Sequence, residues 1–470
     1  MMRERSPGIR MLFVGLVGAV LIIPLLMVYA LVSDRQHQAR VAQDSISAGW
    51  AGPQVIAGPL VVIPYMEEVL STEEVDGKIV TRTVNTRSEL FLSPELQKAS
   101  AQIYPAIKTR AIYQSVIYTA GLSGSADFVL PDDLSGLGIE PDQLLLGEVE
   151  VRLGMSDPRG LQTDAALSIA GNDLVLKPGK GPAASGGAGV HGYFDWSDGQ
   201  PISLDWSYSL RGSRSFSFVP RGKSSEWSVR SDWQHPSFSG SFLPDEDAVE
   251  QGDEGFAASW SISNLALGQS IVSRNDTGAP AIDRGGVSQA AYTAVSEAAI
   301  GRNQSMAATI RLIEPVDLYS QVDRAVKYGF LFIGFTFLAF FMFDVVGGVK
   351  VASPEYLMTG VGLVLFFVLL LAFAEVVGFT IAYAIASAAI IGLLTSYSAA
   401  VLRSWKRAKL IGGLLVGLYA LLYVLLSLEA FSLLIGSVLL FFALAGVMYA
   451  TRGIDWSPAE KLENEAEQIS

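Results

Sequence analysis

The chain has 470 residues, half of them hydrophobic, and its mean hydropathy of +0.38 is too high for a soluble globular protein of this size. The absence of cysteine excludes disulfides, thiol nucleophiles and cysteine metal sites, and three histidines leave little material for a histidine metal cluster. The formal net charge of −13 argues against nucleic acid as a partner. We therefore expect no metal, no cofactor and no nucleic-acid partner.

The first apolar run covers residues 11–33, contains no charged residue and follows Arg3, Arg5 and Arg10. About 20 apolar residues match the ~30 Å hydrocarbon core of a bilayer. A cleaved signal peptide is the competing interpretation, but its apolar core usually has only about 7–15 residues. We predict an uncleaved transmembrane helix over 11–33, after a short N-terminus at 1–10.

The long polar segment, 34–327, has the composition of a water-exposed β domain. Its strand signals are β-rich runs and strict apolar–polar alternation, separated by Gly, Pro and Asp clusters. The predicted strands are 58–65, 114–130, 148–155, 202–210 and 225–233. Several such strands favour one or two antiparallel sandwiches.

Three stretches of this segment predict other local structure. The glycine-rich stretch 178–192 indicates a flexible loop or a junction between two β subdomains. The acidic stretch 243–255 predicts an exposed loop, since it lacks the ligand spacing of a calcium loop. Residues 288–302 have a helical composition.

Five further apolar runs follow the polar segment and predict a bundle of transmembrane helices over 328–450. The runs are 328–343, 357–374, 378–402, 410–428 and 430–450, and none contains a charged residue. Small residues recur in them, as they do where membrane helices pack closely. With the first run, the sequence predicts six spans, followed by a tail at 451–470.

The basic residues predict the orientation of these spans. Residues 403–409 join the fourth and fifth spans and carry four basic residues, whereas two other links carry only Glu375 and Glu429. The positive-inside rule then places both termini in the cytoplasm. The polar domain would lie outside, which in a two-membrane bacterium is the periplasm. The sequence therefore predicts a multi-pass protein of the inner membrane.

The stretch 231–240, SDWQHPSFSG, contains the candidate interaction or structural motif, formed by Trp233, His235, Pro236 and Phe238. Catalysis would require a nucleophile, a base and an acid within hydrogen-bond reach, and no nucleophile-elbow pattern surrounds His235. A packed corner is the simpler interpretation, with Pro236 ending a strand, Gly240 allowing a turn and His235 bonded to a carbonyl or carboxylate. A binding surface is the alternative, because exposed aromatics are common in interaction sites.

Several motifs in order resemble the CreD family, the inner-membrane proteins associated with cell-envelope integrity. They are SAGWAGPQVIAGPLVVIPY (47–65), RAIYQSVIYTA (110–120), MSDPRGL (155–161), LRGSRSFSFVPRGK (210–223), SDWQHPSFSGSFLP (231–244), EPVDLYSQVDRAVKYGFLFIGFTF (314–337), GSVLLFF (436–442) and TRGIDW (451–456). The resemblance covers nearly the whole chain. It implies an inner-membrane protein linked to envelope stress, colicin tolerance and β-lactam response, without a known reaction.

Three functional hypotheses follow. The first is a non-enzymatic protein whose β domain binds an envelope protein or cell-wall component, with the lipid bilayer as its other partner and a homo-oligomer as a possible state. The second is a transporter or channel-like protein for a neutral or amphipathic substrate, in which Tyr383, Tyr419 and Tyr423 line a path. The third is a hydrolase of cell-wall or lipid material.

Overall fold

The computed structural model describes residues 7–75, 78–280, 304–312, 318–345 and 353–427, together with scattered positions between 434 and 452. The chain divides into two compact units. The helical unit comprises Met1–Gln38 and Val316–Ser470, and the β unit comprises Ala39–Pro315. The long helix α1 (Pro7–Trp50) begins in the helical unit and ends in the β unit.

The described helices after α1 are one short helix in the β unit and four long helices in the helical unit. They are α2 (Asn264–Leu267), α3 (Leu318–Val345), α4 (Ser353–Val377), α5 (Phe379–Val401) and α6 (Trp405–Ser427). The long helices are rich in Leu, Val, Ile and Phe, and they bury one face of each helix against its neighbours while leaving many apolar side chains exposed. Exposed apolar side chains on such helices suit a lipid environment.

Four helices in the described ranges are long and apolar enough to cross a membrane. They are Leu12–Trp50, Pro354–Val377, Phe379–Val401 and Trp405–Leu426. The prediction of six spans is therefore supported for four. The predicted run 328–343 lies inside α3, but its 16 residues rise only about 24 Å, less than the ~30 Å hydrocarbon core. Most of the predicted run 430–450 lies outside the described residues, as do most of the tail and the helix predicted over 288–302.

The β unit contains two sheets. In order of adjacency, the first sheet consists of β13 (Pro236–Gly240), β17 (Ala308–Leu312), β11 (Ser215–Val219), β1 (Gln54–Val75), β5 (Val149–Met155), β9 (Gly189–Phe194) and β8 (Lys177–Pro178), with β2 (Lys78–Leu92) paired to β1 and to β16 (Val272–Ser273). The second consists of β14 (Val249–Gly252), β15 (Gly255–Ser263), β12 (Ser224–Ser231), β3 (Leu96–Arg110), β4 (Tyr113–Phe128), β10 (Ile202–Ser213), β6 (Ala166–Ile169) and β7 (Asn172–Asp173).

Both sheets are mixed, so the prediction of purely antiparallel sandwiches was wrong. β1 runs parallel to β11, with Gln54 opposite Phe216, and β3 runs parallel to β12, with Leu96 opposite Ser224. Parallel neighbours require long connections, and these pairs are more than a hundred residues apart in the chain. The alternation within a single strand carries no information about such a distant partner.

One hydrophobic core joins the two sheets. The buried residues of β10 alternate as predicted, with Leu204, Trp206, Tyr208 and Leu210 facing inward. Across the sheets, the ring of Phe218 stacks on that of Trp227, with centroids 4.2 Å apart and planes 11° apart. Large buried aromatic side chains therefore contribute directly to the contact between the layers.

Two of the predicted loops contain regular structure. In 178–192, the strands β8 and β9 pair as antiparallel neighbours, with Pro178 opposite Val190, so the glycine-rich segment between them connects two strands of one sheet. In 243–255, the strand β14 pairs with β15, which corrects the prediction of a loop throughout. The strand β14 is largely exposed and polar, so hydrophobic alternation could not reveal it.

Candidate functional site

The corner at residues 233–238 joins two strands that belong to different sheets. β12 ends at Ser231, and Trp233 is half-buried against the hydrophobic core. Phe238 lies edge-to-face against Phe256 and Trp260, with ring centroids 5.8 and 5.9 Å away. The two aromatic side chains of the corner therefore contribute to core packing and expose only part of their surface.

His235 and Pro236 differ from their expected local roles. Pro236 begins β13, where it lies opposite Leu312, and does not end the preceding strand. This position suits proline because it is the first residue of an edge strand. The side chain of His235 is exposed and has no hydrogen-bond partner among the described residues. The expected bond from His235 to a carbonyl or carboxylate is thus not present there.

A groove of about 700 Å³ lies on the outer face of the second sheet. Four serines in register on four adjacent strands line its floor, and Ser207 continues the line on the next strand. The five are here called the serine row: Ser259, Ser228, Ser100, Ser123 and Ser207. All five are exposed. The hydroxyls of Ser100 and Ser123 are 2.9 Å apart and hydrogen-bonded. Strands lie about 4.8 Å apart, so the row presents an evenly spaced line of groups that both donate and accept hydrogen bonds.

Charged side chains border the serine row. Lys98 and Glu226 form an ion pair of 3.6 Å whose side chains are about half exposed, so solvent screening limits its contribution to stability. Asp205 and Asp245 also line the groove. The residues lining it include no histidine to act as the base for a serine nucleophile. Within the described residues there is also no cluster of His, Asp and Glu that could hold a metal ion. The chemistry of the groove therefore fits hydrogen bonding to a ligand.

A second polar cluster surrounds the end of α1, and we call it the α1 collar: Trp50, Gln54, Asp157, Arg159 and Arg211. Gln54 is fully buried, and its amide nitrogen donates to the carbonyls of Asp157 at 3.0 Å and Arg211 at 2.8 Å. Its amide oxygen accepts from the backbone N–H of Asp157 at 3.1 Å. A single side chain thus joins β1 to two segments that are over a hundred residues further along the chain.

The other collar residues attach the last turns of α1 to the same segments. The indole N–H of Trp50 donates to the carbonyl of Tyr118 at 3.2 Å, and the guanidinium of Arg211 lies 4.5 Å from the indole ring centroid. Arg159 donates to the carbonyl of Ala48 at 3.1 Å. Cation–π contact and hydrogen bonds of this kind fix the direction in which the chain leaves the helix.

Asp157 is the ionised centre of the collar. Two guanidinium nitrogens of Arg159 donate to its carboxylate at 2.7 and 2.8 Å, and the backbone N–H of Gly52 donates at 3.0 Å. The hydrogen bond from Arg159 lowers the pKa of Asp157 below its ordinary value, against the opposing effect of partial burial and with the help of the Gly52 N–H. Asp157 therefore stays charged at neutral pH and holds the start of β1.

Sequence reasoning located the corner but missed the groove and the collar. The polar residues of the collar lie within motifs quoted for the family resemblance, at 47–65, 155–161 and 210–223. The polar residues shared by these three motifs were the signal in the sequence that could have indicated the collar. The serine row had only a weak signal, because serine alternating with apolar residues is the usual pattern of a half-exposed strand.

The fold defines a class of membrane protein in which apolar helices accompany a large unit of two mixed β-sheets. The family model of the inner membrane protein CreD matches residues 6–457. The chain is also 33% identical over 453 residues to the inner membrane protein CreD of Escherichia coli (strain K12), covering 94% of this chain and 92% of the relative. The chain belongs to the CreD family, as its motifs indicated, and is a protein of the inner membrane.

Proposed function

We propose that this protein supports the integrity of the cell envelope, or its response to stress, by binding an envelope component or partner protein through the β unit, without catalysing a reaction. The observation that carries this proposal is the groove on the second sheet, whose floor carries a row of hydroxyls and whose lining includes no histidine. The half-exposed aromatics Trp233 and Phe238 form a second candidate contact surface.

The proposal includes the topology that the charges predict. The β unit, within the predicted domain 34–327, would lie in the periplasm, and both termini would lie in the cytoplasm. Arg3, Arg5 and Arg10 before the first apolar run, and the basic residues at 403–409, support this orientation. The six predicted spans place the two termini on one side. A reporter enzyme fused near Gly186 checks the orientation, and cytoplasmic activity of that reporter would contradict it.

Site-specific photo-crosslinking in cells tests the binding proposal. A photoreactive residue at Ser228 samples the groove, and one at Trp233 samples the corner. Val175, which is 80% exposed, provides a control position on the same unit. We expect one identified adduct from Ser228 or Trp233 that is absent from Val175, and an adduct with a second copy of the chain would indicate a homo-oligomer. Equal or absent crosslinking at all three positions would contradict the proposal.

Two of the three tyrosines proposed for a transport path, Tyr383 and Tyr419, are instead buried side chains in the described part of the helical unit. Tyr383 donates a hydrogen bond to the carbonyl of Tyr419 at 2.6 Å, and both side chains are buried. The ring of Phe366 lies 4.7 Å from that of Tyr419 and 5.5 Å from that of Tyr383, measured between centroids. These contacts favour a role of the tyrosines in helix packing. We therefore favour a binding function over a transport function for this protein.

A further inference from the structure

The groove on the outer face of the second sheet extends to both sides of the serine row. Its volume of about 700 Å³ adjoins a second cavity of about 590 Å³, and the two share four serines of the row in their lining: Ser259, Ser228, Ser100 and Ser123. Both volumes lie within the range of about 300–1,000 Å³ that is usual for ligand sites. The serine row is therefore the middle of a longer binding surface within the β unit.

Two further rows of side chains flank the serine row, each two residues away along the strands, a distance of about 7 Å. In register, one consists of Ser261, Glu226, Lys98, Ser125 and Asp205, and the other of Ala257, Arg230, Gln102, Gly121 and Ser209. The positions of all three rows lie within the described residues, and they carry no aromatic or large aliphatic side chain. This face therefore does not suit a lipid or another ligand that binds through large apolar groups.

Carboxylates outnumber basic side chains around the serine row. The acidic residues in the lining of the two cavities are Asp205, Glu226, Asp245, Asp247 and Glu250, and the basic residues are Lys98 and Arg230. Repulsion from these carboxylates disfavours a polyanionic ligand. A carboxylate accepts hydrogen bonds, and a serine hydroxyl both donates and accepts them. The groove therefore complements a ligand that is rich in hydroxyl groups and carries no negative charge.

The spacing of the serine row matches a straight chain of sugars. The bond of 2.9 Å between the hydroxyls of Ser100 and Ser123 uses one hydroxyl hydrogen, so the accepting hydroxyl keeps its own hydrogen for a ligand. The four serines of the floor cover three strand spacings of about 4.8 Å, about 14 Å in total. A β-linked chain of pyranose sugars is straight and advances by nearly one strand spacing per sugar. Such a chain can therefore place one sugar over each strand.

We propose that the groove binds a straight, uncharged oligosaccharide, which lies across the strands along the serine row. Its hydroxyls exchange hydrogen bonds with Ser228, Ser100 and Ser123. They also donate to the carboxylates of Asp205 and Asp245, which lie toward the β10 and β14 ends of the groove. This inference rests on the proposed binding function of the β unit, and it adds the chemical class of the ligand.

Two glucose tetramers that differ only in linkage test the proposal. Cellotetraose is β-linked and straight, whereas maltotetraose is α-linked and coiled. Isothermal titration calorimetry of the full chain in lipid nanodiscs, which avoid sugar-based detergents, measures the Kd of each tetramer. We expect cellotetraose to bind about tenfold more tightly, since the coiled tetramer loses two or more hydrogen bonds to the row. An uncharged peptide of similar length, N-acetyl-tetraglycine amide, tests for a peptide ligand and should bind as weakly as maltotetraose.

Serine variants test whether the tetramer occupies the groove. Ser100→Ala and Ser228→Ala should each weaken the binding of cellotetraose by about three- to tenfold, the effect of one lost hydrogen bond. Ser203→Ala is the control, because Ser203 is an exposed serine of β10 that does not line either cavity. The urea midpoint of each variant checks that it is folded.

Three results would overturn the proposal: equal affinities for the two tetramers, an affinity for cellotetraose that neither Ser100→Ala nor Ser228→Ala lowers, or tighter binding of the peptide. The last result would assign the groove to a peptide ligand. If neither tetramer binds while photo-crosslinking from Ser228 identifies a protein adduct, the sugar ligand is refuted and the proposed function stands.

Discussion

Replacing Gln54 by leucine should destabilise the β unit, because the leucine keeps the volume of the side chain and removes its hydrogen bonds. Gln54 is fully buried. The N–H of Asp157 would lose its acceptor, at about 1–3 kcal/mol for a buried unsatisfied donor. The carbonyl of Asp157 keeps a bond from Gly160 at 3.1 Å, whereas that of Arg211 loses the amide at 2.8 Å. With these two weakened acceptors at about 0.5–1 kcal/mol each, the total loss is about 2–5 kcal/mol.

Urea unfolding of the full chain in detergent measures this loss. Six of the eight tryptophans lie in 34–327, so their fluorescence reports chiefly on the β unit. With a denaturant slope of about 3 kcal/mol per molar, a loss of about 3 kcal/mol lowers the midpoint by about 1 M. Gln200→Leu is the matched control, because Gln200 is exposed and a surface substitution changes stability by only about 0.5 kcal/mol. Equal midpoints for the two variants would refute the role assigned to the Gln54 amide.

Two further predictions use the same unfolding assay. Because the pKa of Asp157 is lowered in the folded state, its stabilising contribution is present above the unfolded pKa of about 3.9 and disappears as the pH falls through the folded pKa. Between pH 6 and pH 3, the urea midpoint of Asp157→Asn should therefore fall by less than that of the wild type. Equal falls in the midpoint would contradict this. Gly240→Ala should lower the free energy of unfolding by about 1–3 kcal/mol, because the φ of 100° at this position is strained for alanine. The new Cβ would also lie 2.4 Å from the carbonyl oxygen of Ala307. Gly252→Ala, where a Cβ would have open space, should leave the midpoint nearly unchanged, and similar values for the two variants would show that the backbone at Gly240 adapts freely.

Local signals predicted much of the fold, and the misses have identifiable causes. The alternation in β10 and the apolar runs of α4, α5 and α6 are properties of single segments, so the sequence alone revealed them. The exposed strand β14 was missed because it buries too little for alternation to appear. Pro236 was expected to end a strand because proline cannot donate to a sheet, but at the first position of an edge strand this deficit costs nothing.

The candidate site was much less accessible to sequence reasoning. The corner at Trp233 and Phe238 was found because aromatic residues and a histidine are conspicuous in the sequence, and its role in binding remains a prediction. The groove was not found, since each serine of the row looks like an ordinary outward-facing residue of its own strand. Only the registers of β15, β12, β3, β4 and β10 bring the five hydroxyls into line.

The sequence by itself determined that this is a membrane protein with a large β unit, because burial in lipid and alternation in a strand are set by consecutive residues. The tertiary structure decided which strands are neighbours, that β1 and β3 have parallel partners, and that Gln54 joins segments around residues 157 and 211. Those outcomes depend on pairing and packing between residues a hundred or more positions apart, where no periodicity along the chain can specify the partner.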